Sequence, residues 1–304
     1  IWIVIAAGLA ARLILIPSEP MLEDDYQRYL WDGGVTAAGL NPFAISPKQA
    51  GEAGTMTRIG ALAKRSGDII DRIGHPGLKT IYPPVAQAAF ALAHRLKPWS
   101  LIAWKSMVLV LDIAVLALVL ALLTEVGRAP LWATLYWWNP LVLKELSNSG
   151  HMEPVLMAPL LLALLLAIKR RPTVAVAALA IAAGAKVWPV LLLPLLVRPL
   201  QREPRRLIAA LGMFAALTAL WVWPILSGGL DPSSGFVAYA ANWRTNSALF
   251  PTLERAVAWI GAVLHAPQEW AARATRALLA LCVGSMALWL ARAPAADGGD
   301  LMRR

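Results

Sequence analysis

Eight stretches of almost unbroken apolar residues recur along the chain, at 1–16, 101–124, 130–146, 154–168, 173–197, 207–226, 251–264 and 274–291. The runs at 101–124, 154–168 and 207–226 come near the roughly 20 residues that an α-helix needs to cross a bilayer. The pattern predicts an all-α fold: a polytopic membrane helix bundle over 101–291 within a single transmembrane domain, 1–304, and a long polar insert at 17–100. Composition agrees. Of 304 residues 59% are hydrophobic and 15% charged, with a mean hydropathy of +0.60, where soluble domains are about 45–50% apolar and about 25% charged. A soluble globular enzyme is excluded.

The net charge of +10, from 28 Lys and Arg against 18 Asp and Glu, would suggest nucleic acid in a soluble protein. Here the excess sits largely in short loops, so no nucleic-acid partner is expected. Two loops are almost purely basic: Lys169, Arg170 and Arg171, and then 198–206 with Arg198, Arg202, Arg205 and Arg206 against Glu203. The positive-inside rule places both in the cytoplasm. A single helix over 173–197 would put them on opposite faces, whereas a break at Gly184, Ala185 and Lys186 keeps them together and leaves Lys186 at the outer face. Each half then has about 12 residues and spans roughly 18 Å, too short for a 30 Å core unless the bilayer thins or the site is recessed. Broken helices of this kind line cavities.

Counting back from 169, the helix 154–168 runs inward, 130–146 outward and 101–124 inward, so the insert 17–100 is external. Its 8 acidic and 9 basic residues balance, unlike the cytoplasmic loops. Within it, 85–96 is apolar but short and ends in His94, Arg95 and Lys97, as expected of a helix on the membrane surface. The Tyr82-Pro83-Pro84 step suits such a start, because proline is accepted in a first turn. The chain opens at Ile1 without Met and closes on a polar tail, as a piece of a longer protein would. Its one cysteine, Cys282, excludes an intramolecular disulfide and a cysteine metal centre.

The external face gathers the uncommitted polar side chains: Glu23, Asp24, Asp25, His75, Lys79, His151, Glu153, Lys186, Asn242, Arg244 and Asn246. An active site facing outward at the membrane boundary follows. Carboxylates there suit a general base on an acceptor hydroxyl, and Lys and Arg suit a phosphate leaving group. Each has a plainer alternative. Glu23, Asp24 and Asp25 fit a helix N-cap and dipole partner, and His151 and Glu153 fit the start of the helix at Pro154. Lys186, alone in an apolar stretch, is a functional candidate by default. Lys105 and Asp112, seven apart on one helix face, read as an intramembrane pair, with Lys105 reaching a phosphate as the alternative. Trp137, Trp138, Trp221 and Trp223 read as interfacial anchors, and Trp31 or Trp243 as a sugar-stacking ring.

Four segments carry a family resemblance: EDDYQRYLWDGGVTAAGLNPF (23–43), IYPPVAQAAF (81–90), WNPLVLKELSNSGHMEP (138–154) and AKVWPVLLLPLL (185–196). Together they resemble the GT-C superfamily of polyprenyl-phosphate-sugar-dependent glycosyltransferases, nearest to bacterial mannosyltransferase-like members, from residue 1 to about 250. The resemblance implies a GT-C-like bundle in the bacterial cytoplasmic membrane, with juxtamembrane helices in the first external loop. An Asp in that loop is the family's catalytic base, and aminoarabinose transferase relatives carry an Asp-x-x-Arg-Tyr run there, which Asp25, Arg28 and Tyr29 match. Asp25 is therefore the first choice for the base and Asp24 the second. The relatives' acidic-Pro step and broken-helix Lys resemble Glu153-Pro154 and Lys186.

By the same resemblance the donor is a sugar, with mannose expected, on a polyprenyl monophosphate entering from the bilayer. Its phosphate would meet His75, Lys79, Lys186 or Arg244, with Tyr82 and His151 also on the substrate. The acceptor, a lipid or glycan hydroxyl, would attack in one step with inversion. Some relatives use a divalent cation, for which Asp24, Asp25, His151 and Glu153 offer ligands that no spacing demands; no cofactor is otherwise implied. No GxGxxG or P-loop is present, in keeping with a lipid-linked donor. The alternative is a transporter or flippase of lipid-linked sugars, which also needs broken helices and intramembrane charge, but transporters carry internal repeats and none is evident here.

Overall fold

The computed structural model describes residues 1–242, 249–265, 267, 270–293, 295 and 297–303, all of them helical or irregular with no strand. Ten helices carry the argument: α1 (Trp2–Leu15), α2 (Asp25–Ala37), α3 (Pro84–Leu96), α4 (Leu101–Glu125), α5 (Glu153–Ile168), α6 (Pro172–Ala183), α7 (Pro204–Ser227), α8 (Gly235–Asn242), α9 (Leu249–Val263) and α10 (Trp270–Leu290). Among the described residues α4, α7 and α10 are long and apolar enough to cross a membrane, and α1, α5 and α6 are shorter apolar helices. Only 11% of the most apolar windows of α7 and α10 is buried within the protein. Such faces are compatible with lipid and not with water.

Cross-helix contacts fix the direction of each helix. Trp104 Nε1 at the start of α4 donates to the carbonyl of Gly150, just before α5, at 2.6 Å, while Lys169 after α5 pairs with Glu125 at the end of α4 at 3.1 Å. The two helices therefore run side by side in one direction. Helix α6 returns, because Lys186 beyond its end meets Glu153 at the start of α5. The chain then turns again: Leu195 packs with Ala167, Ile168, Ala291 and Leu301 at the far end. Both basic loops lie at that far end, and Lys186 lies at the other.

The break between α6 and the short 3-10 turn Trp188–Leu192 has a local cause. At Gly184 an added Cβ would stand 2.5 Å from Val85 Cγ2 and 2.9 Å from Trp221 Cδ1, and its carbonyl accepts from the Val85 amide at 2.9 Å. The close approach of α3 and α7 leaves room for no side chain there. Pro189 then opens the next turn without needing an amide donor.

Residues 130–146 do not form the single span that their hydropathy predicts. They fall into short turns, Pro130–Ala133, Thr134–Trp137 and Pro140–Val142, followed by a π turn, Leu143–Asn148. Pro140 cannot continue a helix from Trp137, and the Asn139 side chain caps the restart by accepting from the Leu141 amide. The expected Lys105–Asp112 pair does not form either. Seven residues along a helix separate their backbones by roughly 10 Å, and nearer partners exist across the packing: Asp112 accepts from Arg12 of α1 at 2.5 Å and from Tyr136, while Lys105 donates to the Ser18 carbonyl at 2.7 Å. Arg12 also lies 3.4 Å above the Trp137 ring, so Trp137 is a buried packing partner. Trp138 and Trp223 are exposed, as anchors are.

Helix α3 packs along α2, where Gly33 abuts the backbone of Phe90 and Gly34 abuts Trp99. Phe90 also meets Trp104 in the first turn of α4, with ring centroids 5.0 Å apart, so both ends of α3 stay at the end of the molecule where Lys186 lies. Trp31 is 2% exposed and stacks on Trp99. It is core and unavailable to a sugar.

Candidate active site

Two cavities open at the Lys186 end and share one wall. The larger, about 690 Å³, is lined by Asp25, Tyr29, Tyr82, His151, Glu153 and Lys186 together with Trp188, Phe236 and Tyr239. The smaller, about 230 Å³, is lined by Asp24, Asp25, Arg28, His75, Lys79 and Tyr82. Asp25 and Tyr82 stand in both. Of the residues singled out from the sequence, Arg244, Trp243 and Asn246 lie outside the described residues; Trp31 and Lys105 are buried elsewhere, and the remaining candidates for the base and the substrate line one cavity or the other.

Asp25 is the first residue of α2, and Asp24, at the N-cap position, makes no capping hydrogen bond. The Asp25 carboxylate accepts from the Tyr82 hydroxyl at 3.2 Å, with the Tyr29 hydroxyl at 3.5 Å from the same oxygen. Burial pushes its pKa above the ordinary value, against a downward pull from His151 and from the Tyr82 hydrogen bond. The two tyrosines belong to an aromatic cluster with Phe90 and Trp104, which holds Tyr29 edge-on to Tyr82 at 5.0 Å. Burial beside the carboxylate pushes both phenols well above their ordinary range, so they remain donors.

Arg28 is held one turn further along α2. It donates to Asp32 at 3.1 Å and to the Leu78 carbonyl at 2.9 Å, and Gln87 of α3 donates to the other Asp32 oxygen, to Thr80 and to the Tyr82 carbonyl. This network pins the 78–82 strip against α2 and α3 and so places Tyr82. Lys79 is engaged elsewhere: its ammonium donates to Asp231 at 2.5 Å and to the Gly228 carbonyl at 3.0 Å. The lysine holds the Asp231 carboxyl well below the usual carboxylate range.

Across the larger cavity Lys186 pairs with Glu153 at 2.6 Å, both about two-fifths exposed. The intramembrane lysine and the acidic-Pro step thus meet because the helix break delivers one to the start of the other's helix. Beside them, Glu23, Glu145 and His151 form the group of metal-ligating type among the described residues. It shares only His151 with the four ligands expected from the sequence. Lys144 and Glu145 escaped sequence reading because an apolar run around them read as a span; the signal was the charged pair inside it.

These features define a polytopic membrane protein whose polar, partly buried cavities sit where its spans end. The family model of glycosyltransferase family 87 matches residues 80–303, and the chain belongs to that family. It is a membrane glycosyltransferase, and the transporter alternative gives way to an enzyme. The match contains Tyr82, His151, Glu153 and Lys186 and begins after Asp24, Asp25 and Arg28. No curated protein and no solved structure matches the chain.

Proposed function

We propose that this enzyme transfers a sugar, mannose being the expected one, from a polyprenyl-phosphate donor to a hydroxyl of a lipid or glycan acceptor, with inversion, through a GT-C-like site. The carrying observation is a buried carboxylate, Asp25, held by a tyrosine hydroxyl in the same cavity as a lysine placed by a broken helix. Asp25 takes the acceptor proton as the acceptor oxygen bonds to the anomeric carbon. The bond from that carbon to the phosphate oxygen breaks, and polyprenyl phosphate leaves. A raised pKa brings the carboxylate closer to working pH and makes it a better base. Lys186 meets the phosphate, and its pairing with Glu153 keeps it positioned between turnovers.

The location supports the same reading. Both basic loops sit at the end away from the site, so the positive-inside rule faces the site outward, on the external side of a bacterial cytoplasmic membrane, with 17–100 as the first external loop. Val187 and Trp188 at the cavity wall are exposed and apolar, a suitable flank for a prenyl chain entering from the bilayer. The test is transfer of radiolabelled mannose from polyprenyl-phosphate-mannose to extracted membrane lipids. Asp25→Asn should lower transfer by about 10²–10⁴-fold, the usual contribution of a general base, with donor binding retained. Full activity in Asp25→Asn would remove the base assignment. Absence of transfer from any polyprenyl-phosphate sugar by the intact protein would remove the donor assignment.

A further inference from the structure

The carboxylates of Glu23 and Glu145 are bridged by Lys144, with the His151 imidazole lying between them on the other side. Lys144 Nζ stands 3.0 Å from Glu23 Oε1 and 3.1 Å from Glu145 Oε1. His151 Nδ1 stands 2.8 Å from Glu145 Oε2, and its Nε2 3.5 Å from Glu23 Oε2. Each carboxylate gives one oxygen to the lysine, Glu145 lays its other oxygen against the imidazole, and the second imidazole nitrogen stands near Glu23 without a hydrogen-bond partner among the described residues. The members come from the segment before α2, the π turn Leu143–Asn148 and the loop before α5. Successive residues of an α-helix diverge by about 100°, yet Lys144 and Glu145 both enter one cluster from the π turn, a distortion that recurs at functional sites.

Ligand atoms of Glu23, Glu145 and His151 lie within 4.8 Å of one another, a donor set suited to a divalent cation. Two carboxylates this close repel unless a positive charge stands between them. Here an ammonium, a compact point charge on a flexible stem, takes that place. We propose that Lys144 is a built-in cation: a positioning residue that supplies the charge a divalent ion would otherwise bring, holding Glu23 directly and His151 through Glu145, so that Asp25, two residues beyond Glu23, shares the cavity with the imidazole. The inference rests on Asp25 as the base. A tethered cation needs no capture from solution, so the site is set whatever the ionic composition outside.

The experiment uses the full chain in detergent, stripped of metal, with Zn²⁺ and Mn²⁺ as binding probes in calorimetry and polyprenyl-phosphate-mannose as donor. Wild type should bind neither ion stoichiometrically and keep its rate in a chelator. Lys144→Ala should bind one ion, lose at least tenfold in kcat with donor KM unchanged, and regain most of the loss when that ion is added. Lys144→Arg should keep most of the rate without metal. Equal binding by wild type and Lys144→Ala overturns the proposal, as does a Lys144→Ala rate that is unchanged or that neither cation restores. If Lys144→Ala fails to fold, the charge-balanced Lys144→Met/Glu145→Gln protein decides: it should fold and bind no divalent ion, and stoichiometric binding by it overturns the proposal. The binding arm needs no turnover, so an error in the donor assignment shows as absent transfer by wild type with the binding difference intact.

Discussion

The Tyr82 hydroxyl donates to Asp25 Oδ2 across 3.2 Å, joining residues 57 positions apart at the wall between the two cavities. Burial raises the Asp25 pKa and this hydrogen bond lowers it. A base works ionised, so if Asp25 is the base, as proposed, the acid limb of kcat/KM should lie above the ordinary Asp range. Removing the bond in Tyr82→Phe should move that limb further up, with a smaller change in rate well above it. A pH profile of the two proteins checks the sign, and a limb that moves down would detach Tyr82 from the base. By linkage, a carboxyl whose folded pKa is raised favours the fold below its unfolded value and loses that contribution as pH rises through the folded one.

The Lys186–Glu153 pair is open to solvent, so its worth to stability is small, and the proposed role of Lys186 on the donor phosphate is tested by kinetics. Lys186→Ala should raise the donor KM by about 10- to 100-fold, the equivalent of one charge-assisted hydrogen bond, with Lys186→Arg in between. Steady-state kinetics over a donor concentration series measures it. An unchanged donor KM would place the phosphate elsewhere.

Arg12 and Asp112 are the reverse case, with side chains 0% and 1% exposed. Asp112→Ala leaves a guanidinium buried without its anion and should cost about 3–5 kcal/mol, read as a lowered midpoint of unfolding in detergent. Replacing both by apolar residues, Arg12→Met with Asp112→Leu, should recover much of that loss. A single variant as stable as wild type would show the pair to be solvated.

Gly184→Ala tests the helix break. Its methyl would overlap Val85 and Trp221, so the variant should lose about 1–3 kcal/mol and, by shifting Lys186, weaken donor binding as well. Thermal unfolding and donor KM are the two readouts. A variant normal in both would mean that α3 and α7 can separate at no cost.

How far the sequence reached is clearest at particular residues. The apolar runs at 101–124 and 207–226 became α4 and α7 because desolvating a backbone in lipid leaves helix as the local solution. The break at 184–187 was legible from charge alone, since two basic loops had to share a face. Residues 130–146 misled, because hydropathy counts side chains and is blind to a proline that interrupts the backbone. Asp25, Arg28 and Tyr29 stood out through a resemblance to a family motif one helix turn long, where spacing along the chain is also spacing in space, and the fold brings Asp25 and Tyr29 to one cavity.

What the sequence determined by itself was the membrane class, the helical fold and the end at which polar side chains collect. Only the tertiary structure decided which distant groups meet: Tyr82 with Asp25, Glu153 with Lys186, Arg12 rather than Lys105 with Asp112, and Lys144 between Glu23 and Glu145. The physical reason is that hydrophobicity and helix period are properties of neighbouring residues, whereas a hydrogen bond or ion pair acts over about 3 Å. Its partner is set by how helices pack, and packing is a property of the whole chain.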